Sequence, residues 1–156
     1  HLEGKEVEEI IPWIWAACRA SPNNTEAYGM GWYVLAKMRK DVDAGIAVLE
    51  EGIRNNPDSL DLAFTLGQSI YSDRNDVQAA EAAFLETRTK ALRKCGGDPA
   101  KLGGEDARIF VNALAYLAEM SNDRGEIGKV RAYCAEAEAA APDYAATQGI
   151  RALLGK

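Results

Sequence analysis

Apolar residues along this chain recur every three to four positions, with polar residues between them. Leu49 stands between Gly45 and Gly52, Phe84 between Ala80 and Thr87, and Cys134 between Val130 and Ala137. Each trio falls on one side of a helix. Its alternation of small and large residues lets neighbouring backbones approach while a bulkier side chain fills the gap. No stretch shows the period-two alternation of a half-buried strand. The pattern predicts eight helices, at about 7–20, 25–38, 42–55, 59–72, 76–94, 105–121, 126–141 and 144–154, and so an all-α fold.

The helices repeat. Glu3-Gly4-Lys5-Glu6-Val7, Met38-Arg39-Lys40-Asp41-Val42, Asp73-Arg74-Asn75-Asp76-Val77 and Asp123-Arg124-Gly125-Glu126-Ile127 align with one another, at spacings of 35, 35 and 50 residues. Each ends in an acid followed by a β-branched residue, and the acid can accept hydrogen bonds from the free N–H groups opening the next helix. Three carry Arg two positions before the acid, where a cation complements the negative end of the preceding helix. A second landmark keeps the same phase: Ser21-Pro22-Asn23-Asn24, Asn56-Pro57-Asp58-Ser59 and Ala141-Pro142-Asp143-Tyr144. Proline cannot continue a helix, and the Asn, Asp or Ser after it can cap the next one. The repeating element is therefore helix, turn, helix, proline-marked turn. A lone hairpin cannot bury its own apolar stripe, so stacked hairpins are what fold.

Composition agrees. Of 156 residues 27 are Ala, 47% are hydrophobic and 27% are charged, which suits helices. With 24 acidic against 18 basic residues the net charge is −6; this disfavours nucleic acid, whose binding draws on cations. No apolar run is long enough for a membrane span, and no signal-peptide core opens the chain. The start at His1 reads as a fragment or processed product, and leaves an upstream leader or anchor open. His1 is the only histidine, so no Ser-His, Cys-His or His-based metal set can form. Glu6, Glu8 and Glu9 read as helix-start acids. The sequence therefore predicts neither an enzyme, nor a cofactor, nor a metal site. Cys18, Cys95 and Cys134 are an odd number with no C-x-x-C spacing, so at least one thiol stays unpaired within a monomer. By phase Cys134 should be buried, and Cys95, beside Arg93 and Lys94, should be the most reactive.

A two-helix repeat of this length, ending in Pro and carrying small and aromatic residues in its second helix, resembles the tetratricopeptide repeat. Leu66-Gly67, Ile70, Ala80 and Phe84 carry the resemblance best. Repeats then run over about 25–57, 60–94 and 105–142, with a half-repeat at 7–20 and a capping helix at 144–154, all in one domain. The sequence departs from the pattern at Trp32 and Leu117, where the family usually has a small residue, and at Ala63 and Ala113, where it prefers Trp. The first two repeats also carry one extra residue at the inner turn. The resemblance implies a right-handed α-α superhelix, with a concave face lined by the first helices that binds a protein or peptide. By phase that face holds Glu26, Tyr33, Lys37, Asp61, Phe64, Gln68, Tyr71 and Ser72, then Val111, Leu114, Ala118 and Asn122. Gly29, Phe64 and Leu114 occupy the places of the family's carboxylate-holding Lys and Asn residues, so that activity is not implied. An acidic, aromatic groove should instead prefer an apolar, basic segment.

Three further features stand out. The 15 extra residues of the 50-residue spacing include Cys95-Gly96-Gly97-Asp98-Pro99-Ala100-Lys101-Leu102-Gly103-Gly104, whose paired glycines predict a mobile loop. Arg88, Lys90, Arg93 and Lys94 precede it as a local basic cluster, read either as a partner contact or as a solvated helix end. Trp13 and Trp15 point in nearly opposite directions on a helix, so one should pack inward and the other face out. An outward Trp, and an apolar face at Ala145, Ala146, Ile150 and Leu153-Leu154, would suit a homo-oligomer stacked through its terminal helices.

Overall fold

The computed structural model describes residues 4–155, and the sequence readings placed on His1 and Glu3 lie outside them. Eight α-helices and no strand make up the described residues. The chain divides into two compact units, His1–Asn75 and Asp76–Lys156, with the break inside the second predicted repeat.

The first unit holds α1 (Gly4–Ala20), α2 (Thr25–Trp32, continued as a π-helical stretch over Tyr33–Met38), α3 (Val42–Asn55) and α4 (Leu60–Arg74). Its starts are capped as the sequence predicts. Backbone N–H groups donate to Asn24 Oδ1 (from Ala27, 3.4 Å), Asp41 Oδ1 (from Ala44, 3.0 Å) and Ser59 Oγ (from Leu62, 3.2 Å), each satisfying an otherwise orphaned donor. The aligned segment Gly4-Lys5-Glu6-Val7 departs from expectation: it lies inside α1, which begins three residues early, so Glu6 sits in a first turn rather than before it.

Val7, Ile14, Cys18, Tyr28, Val34, Leu35, Val48, Leu49 and Leu62 form the buried core. Two glycines permit its closeness. A Cβ on Gly45 would stand 2.7 Å from Ala36 Cβ and 3.1 Å from the Ala36 backbone nitrogen; one on Gly52 would stand 2.7 Å from Tyr28 Cγ. The ring of Tyr28 fills the space that Gly52 leaves. Its hydroxyl accepts from Asn55 Nδ2 (2.9 Å) and donates to the Cys18 carbonyl (3.4 Å), so this buried polar group is satisfied.

The second unit holds α5 (Val77–Lys94), α6 (Gly104–Asp123), α7 (Ile127–Ala140) and α8 (Ala145–Leu153). The long α6 packs against the other three, and its Phe110, Val111, Ala113, Leu114, Leu117 and Ala118 have no exposed surface. Phe84 of α5 stacks on Tyr116 of α6, with ring centroids 4.5 Å apart. The glycine-rich insertion, for which the sequence predicts a mobile loop, contains two hydrogen-bonded turns. Gly96 and Gly97 take φ of +66° and +86° in a turn where the Gly97 N–H donates to the Leu92 carbonyl at 2.8 Å. Asp98 caps a 3-10 turn over Pro99–Lys101, that turn packs on α7, and Leu102 is buried. Glycine here supplies the sharp conformation of the turn.

The aligned segments acquire a physical meaning. Lys40, Asn75 and Gly125, the residues between the Arg and the acid, all adopt positive φ, at +65°, +54° and +73°. Asp41 and Asp76 then cap the following helix through their side chains; Glu126 stands at the same place without a side-chain cap. The three arginines reach back to the start of the preceding second helix. Arg39 pairs with Glu8 at 3.1 Å, Arg74 with Asp43 at 2.6 Å, and Arg124 with Glu81. What the sequence shows as a motif is a left-handed turn with an ionic tie.

Candidate binding face

Within the first unit, the two first helices of the predicted hairpins, α2 and α4, meet through a polar chain. Trp32 Nε1 donates to Ser69 Oγ (3.0 Å), Ser69 Oγ donates to Asp73 Oδ2 (2.9 Å), and Lys37 Nζ donates to both oxygens of Asp73 (2.7 and 3.0 Å). The Lys37 ammonium also lies 5.5 Å from the Trp32 ring centroid, a cation–π arrangement. Burial pushes the Asp73 carboxyl up, but hydrogen bonds from Lys37, Ser69 and Ser72 together with the lysine's charge outweigh it and hold the pKa below the ordinary value. Lys37 is thereby committed to the fold.

Several large apolar side chains of α2 and α4 are exposed. Tyr33 is 54% exposed, its ring in a T-shaped contact with Trp32 at 6.5 Å between centroids; Met30 is 61% exposed and Tyr71 37%. Glu26, Met30, Tyr33 and Lys37 follow one stripe of α2 at helical spacing. On α4, Asp61 and Ser72 are exposed and Gln68 is half-buried; Ser72 Oγ donates to the Gln68 carbonyl at 2.7 Å. Phe64 differs from the expectation. It is only 7% exposed, so it offers a partner little more than an edge.

In the second unit the predicted inner positions do not form a surface. Val111, Leu114 and Ala118 are buried, because α6 is covered by α5, α7 and α8. Asn122, half-buried near the end of α6, accepts the Gly125 N–H on its backbone carbonyl. The basic cluster is largely neutralised: Arg88 forks onto Glu136 and Lys94 pairs with Asp106 at 2.7 Å, while Lys90 is buried. The Arg88 pKa is raised, chiefly by its hydrogen bonds to Glu136.

Sequence reasoning missed Met30, although it lies four residues after Glu26 and three before Tyr33. It also missed Ser69 and Asp73, whose i,i+4 spacing puts them on one side of α4. The thiols are less open than predicted. Cys134 is buried as expected, but so is Cys95, whose Sγ lies 3.5 Å from the Leu92 carbonyl. Cys18 is fully buried, which raises its pKa, as does the charge of Glu51 to a lesser degree.

Charge is uneven. Residues 1–75 carry 12 acidic against 7 basic residues, net −5, and residues 76–156 carry 12 against 11, net −1. Nearly all the acidic excess belongs to the unit with the exposed aromatic stripe. Among the described residues no group of His, Cys, Asp and Glu is arranged to hold a metal ion, and no helix is long and apolar enough to cross a membrane. No protein-family model, curated protein or solved structure matches the chain.

Proposed function

We propose that this protein is a non-enzymatic binding scaffold, built from divergent tetratricopeptide-like hairpins, that takes up a protein or peptide segment on the face of its first helices. The superhelical arrangement implied by the resemblance belongs to the same proposal. The observation that carries the reading is the stripe of exposed Met30 and Tyr33 on α2 beside a lysine already spent on Asp73. Large apolar side chains grouped on a fixed frame mark interaction surfaces more often than solvated ones. Capture of partners by the intact chain, repeated with Tyr33→Ala, tests it: a partner that depends on Tyr33 supports the reading, and partners indifferent to it remove this face from consideration.

A second reading, self-assembly through the terminal helices, is favoured by Trp13, which is 76% exposed on α1 while Trp15 is half-buried beneath the Arg19 guanidinium. At the other terminus the expected apolar face is partly spent, since Ile150 is buried within its own unit. Sedimentation across a hundredfold range of concentration separates the two readings.

A further inference from the structure

We infer that two copies of this chain meet through the outward side of α1, in an antiparallel pair whose two-fold axis passes near Ile14 and sets Trp13 of each copy beside Ala16 of the other. The inference rests on the self-assembly reading above and replaces end-to-end stacking by a closed dimer.

Three observations converge. From Ile10 to Cys18 the helix carries no charged side chain on any side. Ile10, Ile11, Ile14, Trp15 and Cys18 belong to the core of the unit or pack against it. Pro12, Trp13, Ala16, Ala17 and Ala20 are exposed along the opposite side, at helical spacing. A helix that is apolar all round is normally covered all round, and Trp13, 76% exposed, is the most open large apolar side chain among the described residues. Second, this side fits itself. It holds one large residue followed by three alanines, so an antiparallel copy brings each indole against methyl groups where the backbones can approach. Third, the charges at its two ends are opposite. Glu9 precedes Trp13 by about one turn and Arg19 lies in the last turn, both exposed, at equal distances in sequence from Ile14. The Arg19 guanidinium stands over the Trp15 ring, 5.1 Å from its centroid, and neither Glu9 nor Arg19 makes an ion pair among the described residues. In the antiparallel pair Glu9 of each copy comes next to Arg19 of the other, twice by symmetry. A cationic partner would gain Glu9 but meet Arg19, and an anionic one the reverse; a second copy answers both. One helix pair is a small interface beside the roughly 1,200–2,000 Å² of stable complexes, so the dimer should dissociate on dilution.

The test is sedimentation equilibrium of the chain from about 5 μM to about 1 mM in low salt, where a monomer–dimer equilibrium and nothing larger is expected. Trp13→Ala should weaken the dimer by about tenfold or more, since symmetry removes two anchors at once. Glu9→Arg and Arg19→Glu should each weaken it by about three- to tenfold, with the effect fading in high salt. Glu9→Arg also reduces the net negative charge, which by itself favours association, so its weakening reports the pairing. An equimolar mixture of these two charge variants should recover the dimer, because each Arg then meets a Glu across the axis. Glu50→Arg, an exposed acid on α3, should not weaken it. A dimer indifferent to Trp13→Ala removes this face while self-assembly stands, and so do species that grow beyond the dimer. A dimer that needs Trp13 but is not recovered by the mixture overturns the antiparallel pairing. A monomer throughout the range overturns both the pairing and the self-assembly reading. Circular dichroism of each variant, required to match that of the parent chain, excludes misfolding as the cause of a loss.

Discussion

Three residues in the same conformation offer a graded test of local strain. Lys40, Asn75 and Gly125 all sit at positive φ, a region that costs most L-residues roughly 1 kcal/mol, Asn less and Gly nothing. Lys40→Gly should therefore raise stability by up to about 1 kcal/mol, Asn75→Gly should be near neutral, and Gly125→Ala should lower it by about 1 kcal/mol, all read by urea unfolding. Space rather than conformation decides at Gly45. There an added methyl meets the backbone nitrogen of Ala36 at 3.1 Å and the Trp32 carbonyl at 3.2 Å, neither of which can swing aside, so Gly45→Ala should cost about 1–3 kcal/mol. The thiols should all alkylate slowly in the native state, Cys95 ahead of Cys18, whose burial is complete and whose pKa is raised. Rapid labelling of Cys95 would mean that the turn after α5 opens readily. Phe64 shows where sequence phase fails at this scale. Helical spacing gives the side of a helix a residue faces, but not how far the neighbouring helix covers it.

Among the elements, the join between α2 and α4 has a pH signature. The Asp73 pKa is depressed in the folded state, so its contribution to stability is whole above the ordinary aspartate range, near 3.8, and fades as pH falls from there through the folded value. The stability difference between the parent and Asp73→Asn should thus be constant near neutrality and shrink in acid; a difference unchanged down to pH 2 would separate Asp73 from this role. The ties from Arg39, Arg74 and Arg124 are largely exposed. Such solvent-screened pairs stabilise little, so they choose an orientation more than they stabilise it. Seven of the eight helix starts fall within one residue of those predicted, most of them marked in the sequence by Asn, Asp, Ser or Pro; α6 follows Gly103 and α7 follows Glu126, and α1 starts earlier than predicted, at Gly4. The π-helical stretch over Tyr33–Met38 had no such mark. It arises where the Arg39 N–H reaches the Val34 carbonyl, with Gly45 of the next helix against the Ala36 backbone, and such a tertiary packing constraint leaves no local composition to read.

Across the molecule, the all-α class and the hairpin period were legible, while the break between units was not, since the repeat phase runs through Asn75 and Asp76 without interruption. The site was legible only where a helix is left uncovered. The stripe of α2 stays exposed, whereas α6, against which α5, α7 and α8 pack, buries its corresponding residues, and the sequence gives no sign of which faces of a helix its neighbours will cover. Removing residues 1–24 should strip Val7, Ile14 and Cys18 from the first core. By area alone the loss is several kcal/mol, visible as a lower melting temperature by circular dichroism.

The ties and caps have a further consequence for how the chain reaches this state. In the first unit the named side-chain hydrogen bond between Trp32 and Ser69 spans 37 residues, and the Arg39 and Arg74 pairs each span 31. None of these ties reaches outside the first unit, and small helical units fold in microseconds to milliseconds, far faster than a ribosome adds residues. Each hairpin of the first unit can therefore settle as it is synthesised. By the time Asn75 emerges, every partner of the Trp32–Ser69–Asp73–Lys37 chain is present, and the face that carries Tyr33 can form while the second unit is still being translated.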